Sequence, residues 1–141
     1  MIAVVDASVA VKWFLYAKPD EDHADLALRI LEQSVLGFLP FVQPPHFMAE
    51  VTAVLARLKS DVAHDDLFDL LNIRHRILNT PETYATALDL SIRYQHHLFD
   101  TLYHAVALHT PGATLITADQ RYFKKVKAEG RITLLAEFRI D

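Results

Sequence analysis

The sequence contains no cysteine, and this absence excludes several kinds of chemistry. Without a thiol the chain cannot form a disulfide, a thiolate zinc site or a cysteine nucleophile. Glycine is also scarce, with three residues among 141, so the sequence has neither a glycine-rich linker nor a fibrous repeat. The absence of cysteine suits a reducing compartment, and we expect a cytoplasmic location.

Long apolar runs are missing as well. A membrane-spanning helix needs roughly 20 consecutive apolar residues, and Lys12, Glu50 and Asp100 are among the charged residues that interrupt the candidate stretches. The first apolar run, Ile2–Val5, is short and lacks the basic flank of a secretory signal. We therefore predict no membrane span and no export.

A general basic excess is the third missing feature, since the net charge is −4. Nucleic-acid-binding proteins usually carry such an excess, but here the basic residues are unevenly distributed. Positive charge is concentrated between residues 121 and 131, where phosphate binding and simple solvation of a helix surface are equally compatible with the pattern. Lys12 is a further candidate, with an ion pair as its alternative role. The candidate RNA-binding residues are Lys12, Arg121, Lys124 and Lys125.

The length and patterning predict one domain over residues 1–141. Short apolar runs predict strands at Ile2–Val5, 38–42, Ala113–Thr117 and 132–135. Amphipathic stretches predict helices at 9–16, 22–35, 44–60, 65–77, 82–94, 100–109 and 119–130. Ser8 is the predicted cap of the first helix, and Pro40 places the second strand near an edge. Strands that alternate with helices indicate an α/β fold, a three-layer α/β/α sandwich around a short parallel sheet.

Four acidic residues occur at positions where such a sheet binds ligands. Asp6 and Asp119 follow two predicted strands, and Asp100 begins the helix that leads into the second of them. Parallel sheets bind ligands beyond the carboxyl ends of their strands, where the strand order reverses. Glu50 lies within the apolar stripe of its helix, with no Lys or Arg three or four residues away, so its carboxylate requires another partner.

Carboxylates gathered at one rim repel each other until a cation binds between them. Oxygen ligands suit Mg²⁺ or Mn²⁺, and the pattern leaves open whether one or two ions bind. Ser8 and Thr117 each lie two positions from a site aspartate, where their hydroxyls can support the site. The sequence therefore predicts a metal centre formed by Asp6, Glu50, Asp100 and Asp119.

Each acid also has a simpler explanation. Asp100 and Asp119 occupy positions typical of helix caps, Asp6 can be a turn residue, and Glu50 can lie at the edge of an apolar face. All four explanations must hold together if no site exists. A different metal site, formed by His97, Asp100 and His104 on one helix face, is disfavoured because the predicted helix begins at Asp100 and leaves His97 outside it.

Four segments carry a resemblance to a known family. They are VVDASVAVKWF (4–14), PPHFMAEVTAVL (44–55), LFDTLYHAVAL (98–108) and TLITADQRYFKKV (114–126). In order and spacing they resemble the motifs of PIN domains, and most closely those of VapC-type toxins, the ribonucleases of toxin–antitoxin pairs. Thr101 departs from the pattern, because alanine or another small residue often follows the third acid.

The resemblance implies that the four acids hold Mg²⁺ or Mn²⁺ and that Ser8 and Thr117 match the accompanying hydroxyl positions. It also implies an endoribonuclease that hydrolyses RNA phosphodiester bonds, a homodimer, and a cognate antitoxin that inserts a basic side chain near the acids. Two alternatives remain. One is a catalytically silent PIN-fold module that binds RNA or protein. The other is a phosphatase with Asp6 as nucleophile, although Ser8 replaces the second carboxylate expected there.

Overall fold

The computed structural model describes residues 1–140, in which helices alternate with short parallel strands. The strands are β1 (Ile2–Val5), β2 (Val42–Gln43), β3 (Arg76–Ile77), β4 (Ala113–Thr117) and β5 (Ile132–Leu134). The helices are α1 (Ala7–Ala10), α2 (Lys12–Leu15), α3 (Ala24–Val35), α4 (Phe47–Leu58), α5 (Ala63–Leu71), α6 (Pro81–Tyr94), α7 (Leu98–Leu108) and α8 (Gln120–Val126). The predicted α/β sandwich around a short parallel sheet is confirmed. No helix within residues 1–140 combines the length and apolar character needed to span a bilayer.

The strand order places two strand ends side by side. β4 pairs in parallel with β1 on one side and β5 on the other, and β2 pairs in parallel with β3. A single bridge between Ala3 and Phe41 joins the two groups, giving the order β3, β2, β1, β4, β5. The order reverses between β1 and β4, so the carboxyl ends of these two strands form the expected ligand-binding crevice.

A buried glutamine completes the connection between β1 and β2. The Val5 N–H donates to Gln43 Oε1 at 2.7 Å, and Gln43 Nε2 donates to the Val5 carbonyl at 2.8 Å. The side-chain amide of Gln43 thus takes the place of a peptide group in the ladder. Because both Val5 backbone groups are paired, the fully buried amide is satisfied at the point where β1 approaches the rim.

Local sequence signals define where α6 begins. Thr80 caps the helix through a reciprocal interaction with Thr83, and Pro81 occupies the first helical position. α6 packs against α7, and the buried Thr101 hydroxyl donates to the Ala87 carbonyl at 2.8 Å. Thr101, the departure from the family pattern, is therefore accommodated by a hydrogen bond between these two helices.

Several predicted boundaries were wrong. The predicted helix 9–16 is divided at Val11 into α1 and α2, and the predicted strand 38–42 is reduced to β2, with Phe41 as the bridge residue beside it. β2 lies one strand from the edge, as predicted, and the edge strand β3 falls within the predicted helix 65–77, which was wrong there. The predicted helix 119–130 is shorter in the structure: α8 ends at Val126 and a 3₁₀ turn follows at Lys127–Glu129. Gly130, with φ 79°, stops the helical chain there.

Candidate metal centre

The four predicted acids approach one rim of the sheet from four different elements. Asp6 directly follows β1, and Asp119 caps the helix that follows β4. Glu50 lies in the first turn of α4 and Asp100 in the first turn of α7. All four are half-buried.

Asp100 connects the two halves of this acidic group. Its negative charge and that of Glu50 both raise the pKa of Asp6, which places these three carboxylates within electrostatic range. On the other side, Asp100 and Asp119 each offer a carboxylate oxygen, and these atoms and a ring nitrogen of His96 all lie within 4.8 Å of one another. Asp100 is therefore common to both groups: its charge acts on Asp6, and its carboxylate lies beside Asp119 and His96.

Asp6 caps α1, and the prediction that Ser8 would do so was wrong. The Ser8 N–H donates to Asp6 Oδ2 at 3.1 Å. The Ser8 hydroxyl instead accepts the Ala118 N–H at 3.0 Å and lies 3.5 Å from the Thr117 hydroxyl. A carboxylate has about four acceptor positions, so the cap leaves Asp6 able to bind a cation.

Thr117 and Asp119 make a corresponding turn at the end of β4. The Asp119 N–H donates to the Thr117 hydroxyl at 3.1 Å, and Asp119 Oδ1 accepts the Tyr122 N–H at 3.0 Å. Ser8 and Thr117 therefore support the site by joining the ends of β1 and β4, through hydrogen bonds that their hydroxyls accept from the Ala118 and Asp119 amides. Asp119 both caps α8 and reaches the rim.

Asp100 is not a helix cap, contrary to its simpler explanation. α7 begins at Leu98, His97 occupies the cap position, and Asp100 is the third helical residue. Its Oδ2 lies 2.8 Å from Nε2 of His96, so the chain that precedes the helix supplies its hydrogen-bond partner. Helix capping therefore does not explain the position of Asp100.

Tyr103 is the partner of Glu50, which sequence reasoning missed. The Tyr103 hydroxyl donates to Glu50 Oε1 at 2.8 Å, and the ring is fully buried. Burial, followed by the charge of Glu50, raises the pKa of Tyr103 far above its ordinary value, so the hydroxyl stays protonated and remains a donor. The available signal was the position of Tyr103 three residues after Asp100, on the same face of α7.

The chemistry of these residues fits a divalent cation. The pKa of Asp6 is raised from its ordinary 3.8 to about 7, chiefly by burial; the hydrogen bonds from Ser8 oppose the rise, and the charges of Asp100 and Glu50 add to it. Such a group carries a penalty for being ionised that a bound cation relieves. Carboxylate oxygens are ligands that Mg²⁺ and Mn²⁺ favour, so Asp6, Glu50, Asp100 and Asp119 can hold either ion.

We predict that Asp6→Asn stabilises the protein in the presence of a chelator, increasingly so as the pH rises. The pKa of Asp6 is about 7 in the folded chain and 3.8 in its ordinary state, so the folded state binds the proton more tightly. The contribution of Asp6 to stability therefore falls as the pH rises from about 4 to about 7, and asparagine removes this loss.

Thermal melts in EDTA should show a Tm gain for Asp6→Asn of several °C at about pH 8 and a smaller gain at about pH 5. Asp65→Asn, the same change at an exposed position on α5, is the control and should show no such trend. A Tm difference between Asp6→Asn and wild type that is equal at both pH values contradicts the buried-acid interpretation.

The basic residues near the rim divide into two groups. Arg121 and Lys125 line a groove of about 730 Å³ together with His96, Asp100 and Asp119. Lys124 is exposed but does not line this groove.

Lys12 forms an ion pair within the protein. Its ammonium lies 2.6 Å from a Glu21 carboxylate oxygen and donates to the Asp22 carbonyl at 2.7 Å. The buried side chain is therefore committed to an ion pair, the alternative that the sequence left open.

The histidine that joins the acidic group is His96, and sequence reasoning missed it. His104, considered with His97 as a metal ligand, is fully buried between the Tyr122 hydroxyl at 3.0 Å and the Gly130 carbonyl at 2.8 Å. Burial lowers the pKa of His104, so it serves as a neutral core residue. The signal for His96 was its position four residues before Asp100, which matters only once the turn before α7 is known.

Comparison with known proteins adds one finding. A family model described as PIN domain matches residues 3–129, a span that includes all four acids, His96 and the groove. No curated protein matches the sequence.

Proposed function

Because the chain belongs to the PIN-domain family, whose members are generally metal-dependent nucleases, we propose that it is an endoribonuclease and the toxin of a type II toxin–antitoxin pair. The observation that carries the proposal is the convergence of four acids from four elements on one rim. Bringing these charges together carries a cost in stability, since their mutual repulsion destabilises the site until a cation binds.

The proposed division of labour follows from the contacts. Asp6, Glu50, Asp100 and Asp119 hold Mg²⁺ or Mn²⁺, which when bound activates water and stabilises the negative charge that develops on a phosphodiester. Tyr103 keeps the Glu50 carboxylate oriented, and the Ser8 and Thr117 hydroxyls hold the two strand ends in register.

Arg121 and Lys125 place positive charge along the groove beside Asp100 and Asp119. These two positively charged side chains are positioned to bind the phosphates that flank the cut site. Phosphate contacts supply much of the affinity for nucleic acid. RNA binding along this groove would compensate locally for the overall charge of −4.

The proposed partners are RNA, a second copy of the chain and a cognate antitoxin. Exposed apolar side chains support protein partners: Ile92 on α6 is 68% exposed, Phe99 on α7 61% and Phe38 72%. Tyr84 and Leu88 continue the stripe of Ile92 at four-residue spacing along α6. Exposed apolar stripes of this kind are typical of surfaces that bind proteins.

The cellular test is induction of the protein in a bacterial host, followed by mapping of new RNA ends. We expect the wild type to arrest growth and to generate new ends at defined positions, and Asp100→Ala to do neither. Asp89→Ala, an aspartate change on the exposed face of α6, is the matched control and should behave as the wild type. Growth arrest without new RNA ends would favour the catalytically silent binding module.

We predict that Tyr103→Phe lowers the rate of RNA cleavage about 10- to 100-fold, the usual effect of removing a hydrogen bond to a metal-binding group. The ring still fills the core, but Glu50 loses its hydroxyl donor. The reduction should appear mainly in kcat or in the concentration of Mn²⁺ needed for half-maximal activity. Tyr16→Phe, at the exposed end of α2, is the control, and an equal effect of both variants would contradict the assigned role.

A further inference from the structure

A nitrogen ligand lies next to the acids at one end of the proposed metal centre. His96 offers a ring nitrogen that lies within 4.8 Å of carboxylate oxygens of both Asp100 and Asp119. Ligands that share one divalent cation at about 2.1 Å lie about 3 to 4 Å apart. Small side-chain rotations are therefore enough to bring these three groups onto one ion.

The position of His96 is well determined by its surroundings. Its side chain is 10% exposed, and its ring lies 4.7 Å from the ring of Tyr122. The Ser91 hydroxyl donates to the His96 carbonyl, and Gln95 adopts a left-handed conformation with φ 49° at the end of α6. The turn between α6 and α7 thus directs the imidazole toward the rim.

The two ring nitrogens of His96 face different groups. Nε2 lies 2.8 Å from Asp100 Oδ2 and is the nitrogen directed at the acids. Nδ1 lies 3.2 Å from the ammonium of Lys125, on the side of the groove. A ligand set that includes Nε2 needs no reversal of the ring, because this nitrogen already faces the carboxylate with which it would share an ion. Binding would transfer the ring proton from Nε2 to Nδ1 and turn the Lys125 ammonium away from Nδ1.

The potential metal-binding atoms around Asp100 differ between its two sides. Toward β1, Asp100 and Glu50 both act electrostatically on the Asp6 carboxylate, so the acids identified on that side offer oxygen ligands. Toward β4 the neighbours are Asp119 and the imidazole of His96, which makes a mixed nitrogen and oxygen set. Carboxylates suit Mg²⁺ and Mn²⁺ alike, whereas imidazole favours transition metals over Mg²⁺.

We propose that His96 is a nitrogen ligand of the cation held between Asp100 and Asp119, and that it makes this position selective for a transition-metal dication such as Mn²⁺ over Mg²⁺. The inference rests on the proposed metal-dependent function and adds a ligand to it. It assigns His96 the role of setting metal preference, while the carboxylates provide most of the binding energy for either ion.

Pulsed electron paramagnetic resonance of Mn²⁺ bound to the wild-type protein tests this ligation directly. A directly bound imidazole produces hyperfine coupling to ¹⁴N, and selective ¹⁵N labelling of histidine should replace it with the ¹⁵N pattern. His96→Gln should lose the coupling, whereas His97→Gln, which changes the exposed neighbouring histidine, should retain it. The wild-type spectrum is informative by itself, so the test does not depend on the folding of a variant.

Calorimetric titration with each ion measures the selectivity. We expect His96→Gln to weaken Mn²⁺ binding about 10- to 100-fold and to change Mg²⁺ binding much less, with His97→Gln equal to wild type for both. If Mn²⁺ binds and RNA is cleaved but no nitrogen coupling appears, His96 is not a ligand and the proposed nuclease function stands. If the wild type binds neither ion and cuts no RNA, the proposed function fails together with the inference.

Discussion

Asp100→Asn should abolish RNA cleavage, lowering kcat/KM by about a thousandfold or more, which corresponds to about 4 kcal/mol of lost transition-state stabilisation. Asp100 is shared by the two halves of the acidic group, with Asp6 and Glu50 on one side and Asp119 and His96 on the other. Asparagine keeps the shape and an oxygen for the His96 hydrogen bond but removes the charge that attracts the cation. The loss should therefore arise from metal binding and chemistry rather than from misfolding.

Steady-state cleavage of an RNA identified by end mapping, with Mn²⁺ and with Mg²⁺, measures this effect. Asp89→Asn applies the same substitution to the exposed face of α6 and should leave kcat/KM within about twofold of wild type. The Tm of Asp100→Asn in EDTA should equal or exceed that of the wild type, because one repelling charge is gone. An Asp100→Asn protein that folds and cleaves at the wild-type rate would remove the acidic group from the mechanism.

Gln43→Met should cause the largest loss of stability among the single substitutions considered, about 2 to 5 kcal/mol. Methionine has a similar size but cannot pair with the Val5 N–H and carbonyl, and each buried unpaired group costs about 1 to 3 kcal/mol. Both bonds are short, at 2.7 and 2.8 Å, and the site is fully buried. The effect should spread to the rim, since Val5 directly precedes Asp6 at the end of β1.

Urea denaturation of the two proteins gives the difference in free energy of unfolding. Gln120→Met, at an exposed position at the start of α8, is the control and should change stability by less than about 0.5 kcal/mol. A change of less than about 1 kcal/mol for Gln43→Met would show that water or a rearranged strand replaces the amide, and that Gln43 does not join β1 to β2.

The fold and the four acids were accessible from the sequence because the signals are local. β1 and β4 are short apolar runs that are buried almost throughout, and the prediction of Ala113–Thr117 matches the structure residue for residue. Asp6 and Asp119 follow these strands, so the parallel sheet alone brings them near each other. Glu50 stood out as a carboxylate on an apolar face without a local basic partner.

The other features depend on contacts between residues distant in sequence. Tyr103 and Glu50 are 53 positions apart, and Gln43 and Val5 are 38 apart, so no local pattern pairs them. β3 has two exposed residues and no apolar alternation, and it exists because β2 offers it a neighbour. His96 was overlooked because helix spacing directed attention to His97 and His104.

The prediction that Ser8 caps α1 was wrong for a different reason. Ser8 and Asp6 are both good capping residues, and the choice between them depends on where the chain leaves the strand. The structure assigns the cap to Asp6 because the Ser8 hydroxyl is used by the Ala118 N–H from the neighbouring strand end. Capping and metal binding are therefore compatible at Asp6, a combination that composition alone does not reveal.

The claim on which the rest depends is that the gathered acids bind a divalent cation that RNA cleavage requires. The most direct measurement is cleavage of RNA by purified wild-type protein that has been treated with EDTA, followed as Mn²⁺ is titrated back. We expect no cleavage in the chelator, recovery that saturates with Mn²⁺, and no recovery for Asp100→Asn. Undiminished cleavage in excess EDTA by protein free of contaminating ribonuclease would contradict the metal centre.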